Sequence, residues 1–440
     1  MADDQLQKAG GAAAETEFAP DDFAALLRKE FKPTDDARAD RIETAVATLA
    51  QQALADAAVI GDDVFGTLDA MRAALDKKLS EQVNEIIHHP DFQQLESAWR
   101  GLQYQVMNTS TGKDLKIRVL NITKDELRKT FRQYRDAAWD QSPVFKKIYE
   151  SEFGQLGGQP YGAFVCDYAF DHSAPDLEIM KGLSKIGAAA HCPFISAAAP
   201  SLFGMDSWQE LANPRDLGKL FDATDYAAWR SFRESSDSRY LALTMPRFLG
   251  RQVYGAKTEP VEEFDFEEDT SGDHDKHLWV NAAYAMGVRI TEAFSTYGWT
   301  TRIRGVESGG TVEGLPTAMF PTDDGGVDMK CPTEIAISDR REAELSNSGL
   351  LALVHRKNTD QATFIGGQTI HKPAQYVDAA ATANANLSAR LPYIFASCRF
   401  AHYLKCMVRD WVGGTRTGEQ MTRDLTSWIN QYIDGQPNTS

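Results

Sequence analysis

Disulfide-forming cysteine is scarce here: 440 residues carry five cysteines, scattered and odd in number, which leaves no disulfide framework to read. Cys166, Cys192, Cys331, Cys398 and Cys406 each sit among apolar or small neighbours, the setting of reduced thiols in a cytoplasmic protein. Long hydrophobic runs are missing too. No stretch approaches the roughly 18 uninterrupted apolar residues of a membrane span. The opening MADDQLQKAGGAAAETE has no basic segment leading into an apolar one, so no secretory signal is legible. Positive charge is short: 46 Lys and Arg against 63 Asp and Glu leave a net charge of −17. That balance argues against non-specific nucleic-acid binding, which needs a basic surface to displace counterions.

Catalytic signatures are the next absence. There is no G-x-S-x-G, no H-E-x-x-H and no cysteine in a nucleophile's surroundings. The acidic loop EEFDFEEDTSGDHDKH (262–277) holds His274 and His277, but its Asp and Gly spacing fails the calcium-loop pattern. It reads as a solvated loop or a contact for basic residues. RGVESGGTVEGLP (304–316) is glycine-rich after a strand, yet it lacks Gly-Lys-Ser/Thr and no capped helix follows it. It reads as a loop needing positive φ angles. No cofactor and no metal site is expected. A cytoplasmic α/β enzyme using one of these two loops stays as the competing reading, testable by elemental analysis and nucleotide extraction.

What is present is packing material. The apolar fraction of 42% and charged fraction of 25% are those of a soluble globular chain, long enough for two or three domains. Residues 1–20, rich in Ala, Gly and acids, are expected to be a disordered tail. PDDFAALLRKEFKPTDD follows, and a short amphipathic helix over 21–34 is predicted with Phe23, Leu26, Leu27 and Phe31 on one face and Pro33 as its stop. It either docks on its own domain or serves as a recognition helix for another protein's groove. Residues 35–110 read as helical throughout. In HPDFQQLESAWRGLQYQV (89–106), Pro90 opens a helix whose Phe92, Leu95, Trp99, Leu102 and Val106 line one face, expected to be internal packing.

The pattern then changes to an α/β core over 111–373. Strands are predicted at 114–122, where Leu115, Ile117 and Val119 alternate with Lys116 and Arg118, and at 160–170 and 193–199, both as buried strands. Further strands are predicted within 239–248 and at 299–305, 333–337, 350–357 and 359–368. Thr123 and Glu126 form a capping box opening a helix to about 138. Residues 374–435 read as a long helix to about 412 and a shorter one, 418–433. The fold class is therefore α/β (α+β): a helical N-terminal region, a mixed sheet, and long C-terminal helices. Aromatic and arginine residues, favoured at protein interfaces, interleave in WRSFRESSDSRY and RLPYIFASCRFAHYLKCMVRDWV, and DRREAELS packs both charge signs onto one helix. Candidate interface residues are Trp229, Arg230, Arg233, Arg239, Arg340, Arg341, Arg399 and Arg409, each against the plainer reading of a core stripe with a solvated opposite face.

Seven blocks carry more than periodicity: HPDFQQLESAWRGLQY, SLFGMDSWQELANPRDLGKLF, WRSFRESSDSRYLALTMPR, FDFEEDTSGDHDKHLWVNAAYA, IRGVESGGTVEGLPT, CPTEIAISDRREAELS and ANANLSARLPYIFASCRFAHYLK. In this order, over about residues 20 to 435, they resemble the large subunit of the type VI secretion contractile sheath, the TssC/VipB family. The resemblance implies a sheath-protein-like fold without covalent chemistry. It implies a structural subunit that pairs with a small sheath subunit (TssB/VipA-like) and polymerises with other copies of itself around the Hcp inner tube from a baseplate. Contraction would then propel the tube and spike into a target cell. It also implies that an AAA+ unfoldase of the ClpV type recognises the 21–34 helix through Phe23, Leu26, Leu27 and Phe31. The implied localisation is the bacterial cytoplasm, in a sheath anchored through the baseplate to the envelope, with no nucleic acid and no direct membrane insertion. A related subunit of another contractile injection machine remains a third reading. Family members usually continue some fifty residues further, with a terminal β region that this sequence lacks. The expectation is that pairing with the small subunit survives while a stable sheath does not form; long ordinary tubules would defeat it.

Overall fold

The structure, a computed structural model, describes residues 64–213, 216–321 and 327–433, together with 41 and 44. The predicted tail and the 21–34 helix, with Phe23, Leu26, Leu27 and Phe31, lie outside the described residues, as does most of 35–63. Two compact units are present: residues 1–89 with 254–269, and residues 90–253 with 270–440.

The first unit is described from α1 (Val64–Ile87) and the loop segment 254–269. Asn84 joins them: its Nδ2 donates to the Glu267 carbonyl at 3.1 Å and its Oδ1 accepts from the Asp269 amide at 2.9 Å. The Glu268 carboxylate accepts from the Tyr254 amide at 2.9 Å and lies 3.3 Å from His88 Nε2. The Glu268 carboxylate, in a loop that read as solvated, thus serves a loop amide and reaches His88 just past α1, because backbone amides exposed by an irregular loop need acceptors.

In the second unit, α2 (Pro90–Met107) begins at the expected proline. Its orientation differs from the reading of its apolar stripe. Gly101 and Gln105 are buried, while Leu95 and Trp99 are 56% and 64% exposed and Met107 is 75% exposed. The cause is Gly101. A Cβ there would fall 2.3 Å from the ring of Tyr284, so the missing side chain brings α2 close against α6 (Ala282–Tyr297) along its small-residue face. The large apolar face is left outward.

The Thr123–Glu126 capping box opens α3 (Lys124–Gln133) as predicted. The main sheet contains β1 (Phe164–Phe170), β2 (Phe194–Ala198), β3 (Leu241–Met245), β6 (Thr311–Val312), β9 (Leu350–His355) and β10 (Ala362–Phe364). Their order is β1-β2-β3-β9-β10-β6. The first four pair in parallel, and β9-β10-β6 antiparallel, so the sheet is mixed. On one face, α4 (Ala174–Ala190) contributes Leu177, Met180 and Leu183 to a core that includes α5 (Ala227–Glu234) through Trp229. On the other, α6 packs Ala283 and Met286 against Ile195, Ala242 and Leu351. Two small hairpin-like pairs stand apart: β4 (Phe248–Leu249) with β5 (Trp279–Val280), and β7 (Met319–Pro321) with β8 (Val327–Met329).

Five sequence expectations change here. Residues 114–122 form no strand and join no ladder. Residues 299–305 bury Ile303 without pairing, and 333–337 reduce to one bridge from Thr333 to Phe248. The long helix from 374 is two helices, α8 (Ala379–Ser388) and α9 (Leu391–Trp411). Pro392 fits the first turn of the second, and tertiary bonds hold the break: Thr369 donates to the Ala389 carbonyl at 3.1 Å and Leu391 to Gly367 at 2.8 Å. Finally, 160–170 is not a fully buried strand. Its β1 is the sheet's edge and is half exposed, whereas β2 and β3 are buried throughout. Helices α7 (Asp339–Asn347) and α10 (Gly418–Asn430) also belong to this unit.

Candidate functional site

The interface candidates separate on burial. Trp229 is wholly buried, with ring centroids of Phe221 and Phe232 at 6.4 and 6.3 Å. Arg233 is buried beside it, donating from Nε to the Ile370 carbonyl at 2.8 Å; burial lowers its pKa to about 10. Arg230 donates to the carbonyls of Phe221 and Ala223, Arg239 to Ser236, and Arg409 to Gln155 and Phe153. Arg341 bridges Glu344 at 2.7 Å and the Asn213 carbonyl at 2.9 Å. These arginines close the carbonyl ends of loops and helices that have no helical partner. Trp229 and Arg233 are thus internal parts, a correction to their reading as interface residues. Arg340 stays on the surface, paired with Glu344 at 3.2 Å.

Arg399 has a different setting. Its guanidinium lies 4.8 Å from the Phe294 ring centroid and 4.7 Å from that of Tyr403, and its buried Nε has no hydrogen-bond partner among the described residues. It lines a groove of about 1460 Å³ in the second unit. The groove is lined by Leu95, Trp99 and Leu102 of α2, Ile290 and Phe294 of α6, residues 113–124 and most of β1. Asp167 of β1 opens into the same space. Burial raises its pKa, against hydrogen bonds from Asn281 and Tyr284 that lower it. The apolar pattern of 89–106 carried a signal for this surface, but periodicity alone cannot say which face of a helix is covered.

The two loops that could have served chemistry have structural uses. His274 stacks on Trp279 at 4.7 Å and sits 3.9 Å from Glu334. Glu334 is buried and accepts from Arg247 Nε at 2.9 Å and Nη2 at 2.7 Å. In the glycine-rich loop, Gly305, Gly309 and Gly314 have φ of +75°, +87° and +66°, as the loop reading required. Among the described residues, no group of three His, Cys, Asp or Glu side chains is placed to hold a metal ion. The cysteines are free, and burial pushes the Cys166 and Cys398 thiols up to about 12, far from a reactive thiolate. No described helix is long and apolar enough to cross a membrane.

His402, which also lines the groove, donates from Nε2 to the Ala190 carbonyl at 3.0 Å. Burial lowers its pKa, and the nearby His191, Arg399 and Lys405 add to this against the hydrogen bond. The folded state therefore prefers the neutral ring. The associated stability is present above the ordinary value near 6.5 and is lost as pH falls through the lower folded value. The stability advantage of the wild type over His402→Gln, read from urea midpoints, is expected to be largest at pH 8 and to narrow toward pH 5. A constant difference would refute the assignment.

The family model described as EvpB/VC_A0108, tail sheath N-terminal domain, matches residues 69–371, and a second, EvpB/VC_A0108, tail sheath gpW/gp25-like domain, matches 380–440. The chain belongs to this tail sheath family. It is 61% identical over 417 residues to the type VI secretion system sheath protein TssC1 of Pseudomonas aeruginosa, a match covering 94% of this chain and 84% of that protein. A cryo-EM structure of the anti-feeding prophage (AFP) baseplate aligns over 73% of this chain and 66% of that one, at 11% identity and a TM-score of 0.33, too weak a likeness to bear on the fold. This sheath chain is a structural subunit of a type VI contractile sheath, and the resemblance read from its seven blocks stands.

Proposed function

We propose that the chain pairs with a small sheath subunit (TssB/VipA-like) into a protomer. Such protomers polymerise with further copies around an Hcp tube, standing on a baseplate in the bacterial cytoplasm. Shortening of the sheath then drives the tube outward, with the work drawn from a packing difference between two states. The observation that carries the pairing is the outward apolar face of α2. Leu95, Trp99, Val106 and Met107 are all exposed on one helix that borders the groove. Apolar surface of this kind marks an interaction site, since leaving it in water forfeits about 25 cal/mol for each Å². An unfoldase of the ClpV type would engage the 21–34 helix through Phe23, Leu26, Leu27 and Phe31, after contraction makes it accessible.

Co-expression of the full chain with the small subunit encoded beside it tests the pairing. The expected result is a stoichiometric complex through two chromatographic steps, and loss of most of the small subunit when Trp99→Asp and Leu95→Asp are combined. Both side chains are more than half exposed, so the isolated variant keeps its thermal midpoint. A wild-type chain that elutes without the small subunit would sink this reading.

A further inference from the structure

The apolar stripe of α9 ends on a histidine. Leu391, Ile394, Phe395 and Cys398 are buried at helical spacing, and the next turn of the same face brings His402, where an aliphatic side chain would continue the stripe. His402 is the last buried residue of α9, and α10 buries none. Trp428 of α10 packs on Phe400 and Tyr403 of α9, with ring centroids at 5.8 and 6.0 Å, so the two helical ends form one body. Trp299 packs against that body at Phe400 and Tyr432. The π-helical turn Lys146–Phe153 supplies its charged contact. There Phe153 is buried, with Lys405 Nζ at 3.5 Å from its ring centroid and the rings of His402 and His191 at 5.3 and 5.9 Å. Arg409 Nη2 donates to the Phe153 carbonyl at 2.5 Å, and Lys405 Nζ donates to the Tyr149 hydroxyl at 3.5 Å. His191, just past the end of α4, lies 6.5 Å from His402.

The charges that act on these two imidazoles are of one sign. Lys405 acts on both, and Arg399 and His191 act on His402. Of the carboxylates on the π-helical turn, Glu152 is engaged by Arg118 and by the Gln159 amide, and Glu150 is exposed. The neighbouring Cys192 and Cys398 thiols stay neutral, because burial raises both. Burial also holds both histidines below the ordinary imidazole value, although the bond to the Ala190 carbonyl favours a proton on His402. We propose that residues 399–430 form an acid-released latch: with His191 and His402 neutral, the end of α9 and α10 stay docked on the π-helical turn, and protons on both rings free them while the sheet remains folded. Further cations beside Lys405 and Arg399, out of water and with no carboxylate acting on either ring among the described residues, are less stable docked than released. Docking stability is therefore complete above the ordinary value near 6.5 and is lost as pH falls through the lower docked values.

Amide exchange of the full chain tests the latch, with each rate divided by the intrinsic rate at its pH. Each proton taken up on release multiplies the released population by up to about tenfold between pH 7.5 and 5.5. Expected is a more than tenfold fall in protection at residues 402–411 over that range, leaving them at least a hundredfold less protected at pH 5.5 than β2 and β3. His402→Gln keeps a donor for the Ala190 carbonyl, and His191→Asn suits the left-handed backbone at φ +52°. Each alone should respond less than the wild type, and the two combined should change less than twofold. Lys405→Met keeps both histidines and an apolar stem over Phe153 while relieving the repulsion, so its response should narrow as well. This variant decides the matter if the double variant does not fold. Protection at 402–411 that is the same at both pH values, or that equals that of β2 and β3 at pH 5.5, overturns the latch. So does a full wild-type response in the double variant or in Lys405→Met.

Discussion

Replacing Trp229 with alanine is expected to cost about 3–5 kcal/mol of stability, the range for removing a large aromatic side chain from a packed core. The side chain is wholly buried against Phe221 and Phe232, in the cluster that also holds Phe203, Trp208 and Tyr226. The second half of the expectation is sharper. The Trp229 Nε1 is buried with no hydrogen-bond partner among the described residues. An orphaned buried donor costs about 1–3 kcal/mol, so Trp229→Phe loses some packing but sheds that burden. It should stay within about 1 kcal/mol of the wild type. Urea unfolding of the three proteins measures this, alongside co-purification with the small subunit. Weakened pairing in a Trp229→Ala chain of unchanged stability would return Trp229 to the interface.

Gly309→Ala should be nearly as damaging, for a backbone reason. Gly309 holds φ at +87°, and an added Cβ would lie 2.3 Å from the Arg302 carbonyl oxygen. Left-handed backbone costs an L-residue about 1–2 kcal/mol, and relieving a backbone clash adds about 1–3 kcal/mol. The loop cannot simply shift. The Gly305 amide donates to the Phe364 carbonyl at 2.7 Å, and the Phe364 amide to the Gly310 carbonyl at 2.9 Å, tying the turn to β10. Gly314, at φ +66° with open space around its Cβ position, supplies the comparison: Gly314→Ala bears only the conformational cost of about 1–2 kcal/mol. Thermal unfolding should rank the wild type above Gly314→Ala, and Gly314→Ala above Gly309→Ala. A raised wild-type midpoint on adding nucleotide would revive the phosphate-binding reading of this loop, since a ligand of the folded state stabilises it.

Much of the architecture was legible because local rules act locally. Thr123 and Glu126 announced their capping box, Pro90 its helix, and the glycines of 304–316 their positive φ angles. Strand reading did less well. Residues 299–305 and 333–337 have strand-like alternation, but a strand exists only when another strand lies beside it. The arginines misled for a related reason: a guanidinium that caps carbonyls inside a fold has the same sequence as one that waits for a partner. Arg233 and Arg409 are of the first kind.

By itself the sequence determined the family, through seven ordered blocks, and the mixed α/β class, through periodicities that depend on a few residues at a time. It also determined that no familiar catalytic set was present. The tertiary structure decided which surfaces are covered. Gly101, by having no side chain, turned α2 so that Trp99 and Leu95 face outward, and the order of the strands left β1 at an edge. Periodicity fixes that a helix has an apolar face and a strand has open bonds. Only the packing of distant segments determines whether this chain meets those needs or leaves them for another.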